Sequence, residues 1–568
     1  MARTDLVLLH PPSIFDFREA PVFSGPVSDV VPSSSIFEIY PVGFLTLAAH
    51  LEAHGVRTRI VNLALKMLRD ERFDPAAFLP RLKPQAFGID LHWLPHVDGA
   101  LALAELLKSL HPTIPVILGG LSATYYHDEI LRDYPAVDFV LCGDSTEEPL
   151  RLLMAAIARG DGYAEVPNLA WRGADGSIIN NGINWQPDDL DFIRFDYLQS
   201  LRLALRHRDP YGYLPFRGWL RYPVSAVVTG RGCAHNCLSC GGSRAAFRTV
   251  CGREHPVFRA PERVAADIRR IADYTTAPIF VLGDLLQAGR GYGERFLDAF
   301  AGSGVTNEIA VEFFTPPPLD FLHRLGQVIP NYNVEISPES HDLKIRETFG
   351  KNYGNAELET MLHALLDNGC RRVDLFFMIG LPHQDYASVM ATIDYCGTLL
   401  DTFGPGGRLL PMIAPLAPFI DPGSAIFEDP LRYGYRLFYR SLAEHRQAMR
   451  QPSWLHGLNY ETTWMSRADI VRATYDAAER LLALKVRHGL LTTGQAEQLQ
   501  TTIGRARTLV AAIGHSGPLD AALRQEIREL NGLAALCDKH ELEWPISGWK
   551  LHPLKILRGL LAGPSKIA

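Results

Sequence analysis

The chain has 568 residues, more than one hydrophobic core ordinarily supports, so two to four domains are expected. It is 47% hydrophobic and 21% charged with a net charge of −7, which marks ordinary folded protein, and no sustained basic block offers a surface for nucleic acid. There is no long apolar run that could span a membrane, the apolar stretch in MARTDLVLLHPPS is too short for a secretory signal, and eight cysteines, five of them isolated, do not make a secreted disulfide framework. A cytoplasmic protein is expected.

From the amino terminus, DLVLLHPP (5–12) reads as a strand, YPVGFLTLAAHLEAHG (40–55) as a helix and VRTRIVNL (56–63) as a second strand. The cycle repeats through QAFGIDL, DGALALAELLKSLHP, IPVILGG, YHDEILRDYP and VDFVLCG, which predicts an α/β, Rossmann-like domain over residues 1–160. Ligands of such sheets lie beyond the carboxyl ends of the strands, where Pro11, Pro12, Gly119, Gly120 and Gly143 fall. Any one of these is equally a turn residue; the set fits one large ligand across the sheet edge. Residues 161–220 read as an irregular bridge with a small hairpin in WRGADGSIINNGINW.

From 221 to 425 the alternation restarts with SAVVTG, PERVAADIRRIADYT and PIFVLGDLL and continues to LLPMIAPLAPF. It predicts a partial or complete β/α barrel with its functional face at the strand carboxyl ends. From 426 to 568 the strand signal fades, and a mainly helical region is expected to pack over the barrel mouth, with Trp454, Trp464, Trp544 and Trp549 as core residues.

Directly after the first barrel strand stands RGCAHNCLSCGG, which places Cys233, Cys237 and Cys240 within eight positions. Three thiolates in one loop can hold an inorganic centre. A structural zinc needs a fourth ligand, for which His235 is at hand; a [4Fe-4S] cluster takes one thiolate on each of three irons and leaves the fourth iron open.

GRGCAHNCLSCGG resembles the cluster-binding loop of the radical S-adenosylmethionine (SAM) superfamily. The resemblance implies a [4Fe-4S] cluster on the three cysteines, SAM chelated at the open iron, and reductive cleavage of its sulfonium to a 5'-deoxyadenosyl radical. VLGDLL (281–286) is similar to the second-strand motif near the SAM amino group, with the usual paired glycines reduced to Gly283. VEISPES (334–340) is similar to the strand that carries a ribose contact, with Glu335 the first candidate and Ser337 the second. FFMIGLP (376–382) resembles the strand bordering the adenine, where Met378 and Leu381 are equally explained by a strand ending in a turn.

The amino-terminal segments YPVGFLTLAAHLEAHGVRTRIVNL, VILGGLSAT and DFVLCGDSTEEPL are similar to the cobalamin-binding domains that precede many radical SAM barrels. That resemblance implies cobalamin contacts from Pro11, Pro12, Gly119, Gly120, Ser122 and Gly143. No DxHxxG signature occurs, so no histidine ligand to cobalt is expected; His92 and Trp93, after FGIDL, are candidates for the lower corrin face, with loop packing as the alternative. CLSCGGS, APFIDPGS (417–424) and YETTWMSR (460–467) resemble a branch that includes a cobalamin-dependent tryptophan 2-methyltransferase. The implied activity is transfer of a methyl group from SAM, through methylcobalamin, to a carbon of a small molecule or peptide, a tryptophan or indole among them, with a flavodoxin or ferredoxin as external electron donor. Cobalamin-dependent cyclisation or rearrangement, and a noncatalytic cobalamin sensor, stay open as alternatives.

Overall fold

The structure, a computed structural model, describes residues 4–416, 420–515, 519–546 and 548–562. Ala417, Pro418 and Phe419 of the APFIDPGS stretch lie outside the described residues.

The first sheet has seven strands in the order β2-β1-β3-β4-β5-β6-β7. They are β1 (Leu6–His10), β2 (Thr58–Asn62), β3 (Ala86–Asp90), β4 (Val116–Gly119), β5 (Phe139–Leu141), β6 (Leu169–Arg172) and β7 (Ile178–Asn180). The first five are parallel, and strand alternation fills both faces: Val7 and Leu9 enter one core, Leu6 and Leu8 the other. The hairpin expected in the bridge is present as β6 and β7, but it joins the sheet antiparallel to β5, so the sheet runs to residue 180. Order reverses around β1, which puts the topological switch point between β1 and β3.

The second sheet holds six parallel strands in the order β15-β14-β13-β12-β11-β8. They are β8 (Ser225–Val228), β11 (Ile279–Leu282), β12 (Ile309–Phe313), β13 (Tyr332–Glu339), β14 (Arg372–Ile379) and β15 (Leu409–Pro415); the intervening β9 (Gly230–Arg231) and β10 (Val257–Phe258) form a separate two-stranded pair. Val227, Ile279, Val281, Val311 and Val334 pack outward under the helices. The barrel is therefore partial, with an open seam between β8 and β15.

The seam is closed by two segments that show no periodic pattern. Tyr197 caps the free edge of β8: its hydroxyl accepts from Ala226 N (2.7 Å) and donates to Ala226 O (2.8 Å). The excursion between β1 and the Gly43–Ala53 helix brings Phe23, Val27 and Phe37 into the barrel core. The buried ammonium of Lys539 pins it by donating to the carbonyls of Ser28, Val31 and Ser33, and Asp29 accepts from Ala535 N and Leu536 N at 2.7 and 3.0 Å.

The carboxyl-terminal region was expected over the barrel mouth, yet its 541–544 segment closes the opposite end. Trp544 donates from Nε1 to Asp374 (3.1 Å), and the Arg372 guanidinium donates to the carbonyls of Glu541 (2.6 Å) and Glu543 (2.7 Å). The physical reason is that the strand starts carry buried polar groups that must be paired, and this segment pairs them. Among the described residues no helix is long and apolar enough to cross a membrane.

Two histidines hold the excursion over the amino-terminal sheet. His10 Nε2 and His96 Nε2 both donate to Phe37 O, at 3.0 and 2.9 Å, and His10 Nδ1 meets Asp90 at 3.0 Å. Burial, helped by the charge on His10, pushes His96 from 6.5 down to about 4. A depressed histidine costs stability where it must charge, so this contribution is intact above pH 6.5 and is lost as pH falls from 6.5 towards 4. The expected loss is about 1.4 kcal/mol per pH unit, about 3 kcal/mol in all. His10 is shifted the other way, so its contribution is full in this window and fades only above it. Urea unfolding of the His96→Gln variant should show a shallower dependence on pH between 6.5 and 4 than the wild type; equal slopes would refute the assignment.

Candidate functional site

The cysteine loop leaves the carboxyl end of β8 and folds on itself before the Arg244–Cys251 helix. Cys240 N donates to Cys237 O (3.2 Å), Ser243 N to Cys240 O (3.1 Å) and Arg244 N to His235 O (2.8 Å). Two amides point at sulfur: His235 N lies 3.4 Å from Cys233 Sγ and Gly242 N 3.2 Å from Cys240 Sγ. Such amides stabilise thiolates bound to a metal. Neighbouring backbone is pressed tight against the loop. A Cβ on Gly350 (φ +114°) would stand 2.7 Å from Asn236 O, so only glycine fits there.

All three cysteines are free thiols and none is fully buried. Cys240 is solvent-accessible, yet surrounding protein desolvates it and pushes its thiol up, as expected for the wall of an internal space. Burial likewise raises Cys233, and Cys237 to about 11, against the pull of Lys351, so metal binding displaces protons from the loop. His235 turns its ring onto Phe314 (centroids 5.6 Å apart, edge to face). Among the described residues no three His, Cys, Asp or Glu side chains are close enough to share one ion. With His235 turned onto Phe314 the loop offers three thiolates and no fourth ligand of its own, which leaves a structural zinc one ligand short and fits a cluster with one thiolate on each of three irons.

Around the loop, the strand ends supply a ring of buried carboxyl groups and one cation. Gly283 donates its N–H to the Glu312 carboxylate, and a Cβ on Gly283 (φ +98°) would lie 2.2 Å from Thr229 Oγ1. Asp284 accepts from Leu286 N and Phe314 N, at 2.7 and 2.8 Å, and burial pushes it up to about 6. Burial, with Asp374 and Glu312 as like charges, pushes Glu335 up to about 8, so it holds a proton at neutral pH. Glu339, at positive φ (+68°) after the irregularity in β13 that contains Ser337, is pushed up to about 7 by burial and leaves Oε2 without a partner. Lys351 is buried 3.8 Å from Glu339 and donates to Phe314 O at 3.2 Å. Asp284 in VLGDLL and Glu339 in SPES stand near strand ends in the sequence too, as weaker candidates, whereas KNYG carries no pattern that would mark Lys351.

The amino-terminal sheet turns its strand carboxyl ends towards this loop. Arg231, beside Cys233, pairs with Glu147 and donates to Ser145 Oγ (3.0 Å), and Arg253 pairs with Asp144 at 2.7 Å. Glu147, Ser145 and Asp144 all come from the CGDSTEEPL stretch. Trp93 hydrogen-bonds the Asp421 carboxyl group, which also accepts from Gly241 N (2.9 Å) beside Cys240. Trp93 thus bridges the two domains.

The other amino-terminal candidates divide. His92 is exposed, but burial among protein groups holds it neutral, so it too lines an enclosed space. Gly119 is open, since a Cβ there would meet nothing nearer than 3.8 Å. His92 and Gly119 are thus the two of these candidates that leave room for a ligand at this edge. Gly120 is explained by packing, because a Cβ there would stand 2.4 Å from His92 Cα. Pro11 and Pro12 are buried, with Pro12 O against Gly99. Ser122 donates weakly to His92 O (3.4 Å), and Gly143 N donates to Thr124 Oγ1 (3.0 Å). These residues shape the edge from inside the protein.

A cavity of about 1860 Å³ follows the barrel seam. Its wall runs from Ile39, Leu201 and Leu220 at the surface to Glu335, Phe376 and Met412 within the barrel. It does not reach the cysteines; Glu335 stands beside Glu312 in the register of β12 and β13, and the charge of Glu312 acts on Cys233.

Comparison with known proteins agrees with this geometry. Residues 29–153 match the B12 binding domain family and residues 227–396 the radical SAM superfamily. The chain is 26% identical over 295 residues to a hopanoid C-3 methylase of Methylococcus capsulatus, covering 51% of each. It is 23% identical over 248 residues to an anaerobic magnesium-protoporphyrin IX monomethyl ester cyclase of Rubrivivax gelatinosus, covering 43% of this chain and 40% of that one. The chain spans about half or less of the length of the curated relatives it matches. In fold it is similar to the radical SAM methyltransferase TsrM of Kitasatospora setae with cobalamin and a [4Fe-4S] cluster bound (TM-score 0.58, 14% identity, 93% of this chain and 99% of that one). It is also similar to the cobalamin-dependent SAM radical enzyme OxsB (TM-score 0.54, 10% identity, 100% and 81%).

Proposed function

Because this chain is a radical SAM protein that carries a cobalamin-binding domain, we propose that it is a methyltransferase that uses both cofactors to methylate a carbon of a bulky, apolar acceptor. The observation that carries this reading is the meeting of the two ligand-bearing edges, joined by Trp93–Asp421–Gly241 at Cys240 and by the Arg231–Glu147 pair at Cys233. When bound, the cluster supplies the electron that cleaves SAM, and cobalamin supplies the methyl group. A flavodoxin or ferredoxin is the expected reductant.

The residues of the chain have separate tasks. Cys233, Cys237 and Cys240 would hold the cluster, and Lys351 places a positive charge beside them. Gly283 and Ser337 stand at strand ends where SAM would lie, and protonated Glu335 can donate a hydrogen bond to a ribose or to an acceptor in the cavity. His92, Trp93 and Gly119 would face the corrin.

The acceptor follows from the cavity. At about 1860 Å³ it exceeds the range of drug-sized ligand pockets, and the residues cited along it are mostly aliphatic or aromatic. By their names, two relatives act on a hopanoid and a protoporphyrin ester, both larger than an amino acid. A tryptophan or indole acceptor is the narrower expectation; its support is likeness in fold to a tryptophan-bound TsrM (14% identity), and the cavity favours a larger molecule. Cyclisation is the second reading, favoured by the named cyclase among the relatives.

Reconstituted enzyme incubated with methyl-labelled SAM, reductant and a cell lipid extract tests the proposal. Label should enter an organic-soluble product that is one methyl heavier than its precursor. Label confined to water-soluble tryptophan would replace the acceptor, and an organic-soluble product of changed structure without label would favour cyclisation.

A further inference from the structure

The outer end of the cavity is surrounded by leucines that no part of the described chain covers. The carboxyl-terminal helix, Pro553–Leu561, buries no residue fully. Leu554, Leu557 and Leu561 are 74%, 54% and 79% exposed and, at spacings of three and four, form one stripe. The opposite face is docked: a Cβ on Gly559 would lie 2.5 Å from Leu198 of the Tyr197–His207 helix, and Arg202 donates to Gly559 O at 2.6 Å. The strand-like residues before the helix are fixed too, with Thr276 N donating to Lys550 O (3.0 Å) and His552 N to Tyr274 O (2.9 Å). The exposed stripe is thus a held surface. Leu201 and Leu205, one turn apart on the neighbouring helix, and Leu220 and Leu551 extend it, and Leu201, Leu220 and Leu551 also line the cavity.

Charge says what would cover such a surface. The stretches 197–222 and 548–562 together carry eight Lys or Arg and one Asp, in a chain whose net charge is −7; four of the eight pair with acids, Arg202 with Asp196, Arg206 with Glu52, Arg221 with Glu543 and Lys555 with Asp273. Lys555 and Arg558 follow Leu554 and Leu557 by one position each, so both lie on the same side of the leucine stripe, Arg558 beside it and Lys555 further round, where it pairs with Asp273 (3.4 Å). Trp219 and Trp549 line the same mouth. Apolar stripe, cations to one side of it and tryptophan at the rim are the features of a helix lying in a bilayer interface. With nine residues, this helix can lie on a membrane and cannot span one.

We propose that the Pro553–Leu561 helix, with Leu201, Leu205 and Leu220, docks the protein onto an anionic lipid surface, so that the cavity opens into the bilayer. The inference rests on the reading of the cavity as the acceptor site, for which it names the source: an apolar molecule dissolved in the membrane.

The test is cosedimentation of the full-length reconstituted protein with vesicles of equal phosphatidylglycerol and phosphatidylcholine, and with phosphatidylcholine alone. Wild type should pellet with the anionic vesicles. Leu554→Ser/Leu557→Ser/Leu561→Ser should lower the partition coefficient at least about tenfold. Lys555→Glu/Arg558→Glu should lose most of the preference for anionic vesicles with circular dichroism and iron content unchanged. Wild type left in the supernatant, a leucine variant that binds as well as wild type, or self-association in sedimentation velocity that those leucines control would overturn the proposal. Label transfer from SAM in detergent, measured on the same samples, separates the two readings. Absent vesicle binding with label transfer intact sinks the docking alone; vesicle binding without any label transfer sinks the methyltransferase and leaves the docking.

Discussion

Alanine at Cys233, Cys237 and Cys240 together removes iron and sulfide from the reconstituted protein and leaves cobalamin bound. The loop supplies all three thiolates and two amides directed at sulfur, whereas the residues proposed to face the corrin, His92, Trp93 and Gly119, stand on another domain. SAM consumption should fall to background, at least about a thousandfold below wild type, because no residual interaction substitutes for a lost cofactor. Iron, sulfide and cobalamin assays with a SAM cleavage assay decide it. Joint loss of iron and cobalamin from a folded variant would mean that the two sites are not separable.

Removal of the Glu147 carboxylate is the second large effect expected. Its side chain is 2% exposed and accepts from Arg231 and from Thr46 Oγ1 (2.8 Å), so Glu147→Ala leaves a buried guanidinium without its counterion. Arg231 and Thr46 lie on different domains, so the loss falls on the contact that holds the domain edges together. Breaking a buried pair from one side costs about 3–5 kcal/mol, and a pair so shielded is only weakly sensitive to salt. Replacing both partners with apolar residues of similar volume, as in Glu147→Leu/Arg231→Met, should restore much of the stability. Denaturant unfolding followed by tryptophan fluorescence measures this. A cost below about 1 kcal/mol for Glu147→Ala would show that the pair does not join the domains.

Much of this arrangement is legible in the sequence because its signals are local. Val- and Ile-rich strands such as SAVV, IFVL and RIVN alternate with amphipathic helices, and each such strand appears where the pattern puts it. The CxxxCxxC spacing is equally local: thiolates that serve one loop must be near in sequence. CGDSTEEPL was legible as a motif, but its carboxylates prove to meet Arg231 and Arg253 across the domain boundary, partners about 85 and 110 residues away.

What escaped the sequence depends on distant contacts. The seam between β8 and β15 is filled by the Ser- and Pro-rich 23–40 excursion, whose pairing with Lys539 joins residues some 510 apart and follows no period. The Tyr197–His207 helix reads as linker in the sequence because its leucines are divided between a buried face and an exposed one. Gly120 and Gly283 stand at strand ends, and the sequence does not say that a Cβ on either would press on neighbouring chain, at His92 and Thr229. A glycine in the sequence announces close approach without naming what approaches. The burial of Lys351 and the proton on Glu335, which burial and the like charges of Asp374 and Glu312 hold there, depend on tertiary surroundings that no short motif encodes.

The most direct test of the central claim is anaerobic reconstitution of the wild-type protein followed by quantitation of iron, sulfide, zinc and cobalamin per chain. The account predicts a content approaching one [4Fe-4S] cluster and one cobalamin, with no stoichiometric zinc. Zinc in place of iron, or a folded protein that takes up the cluster and no cobalamin, would contradict it.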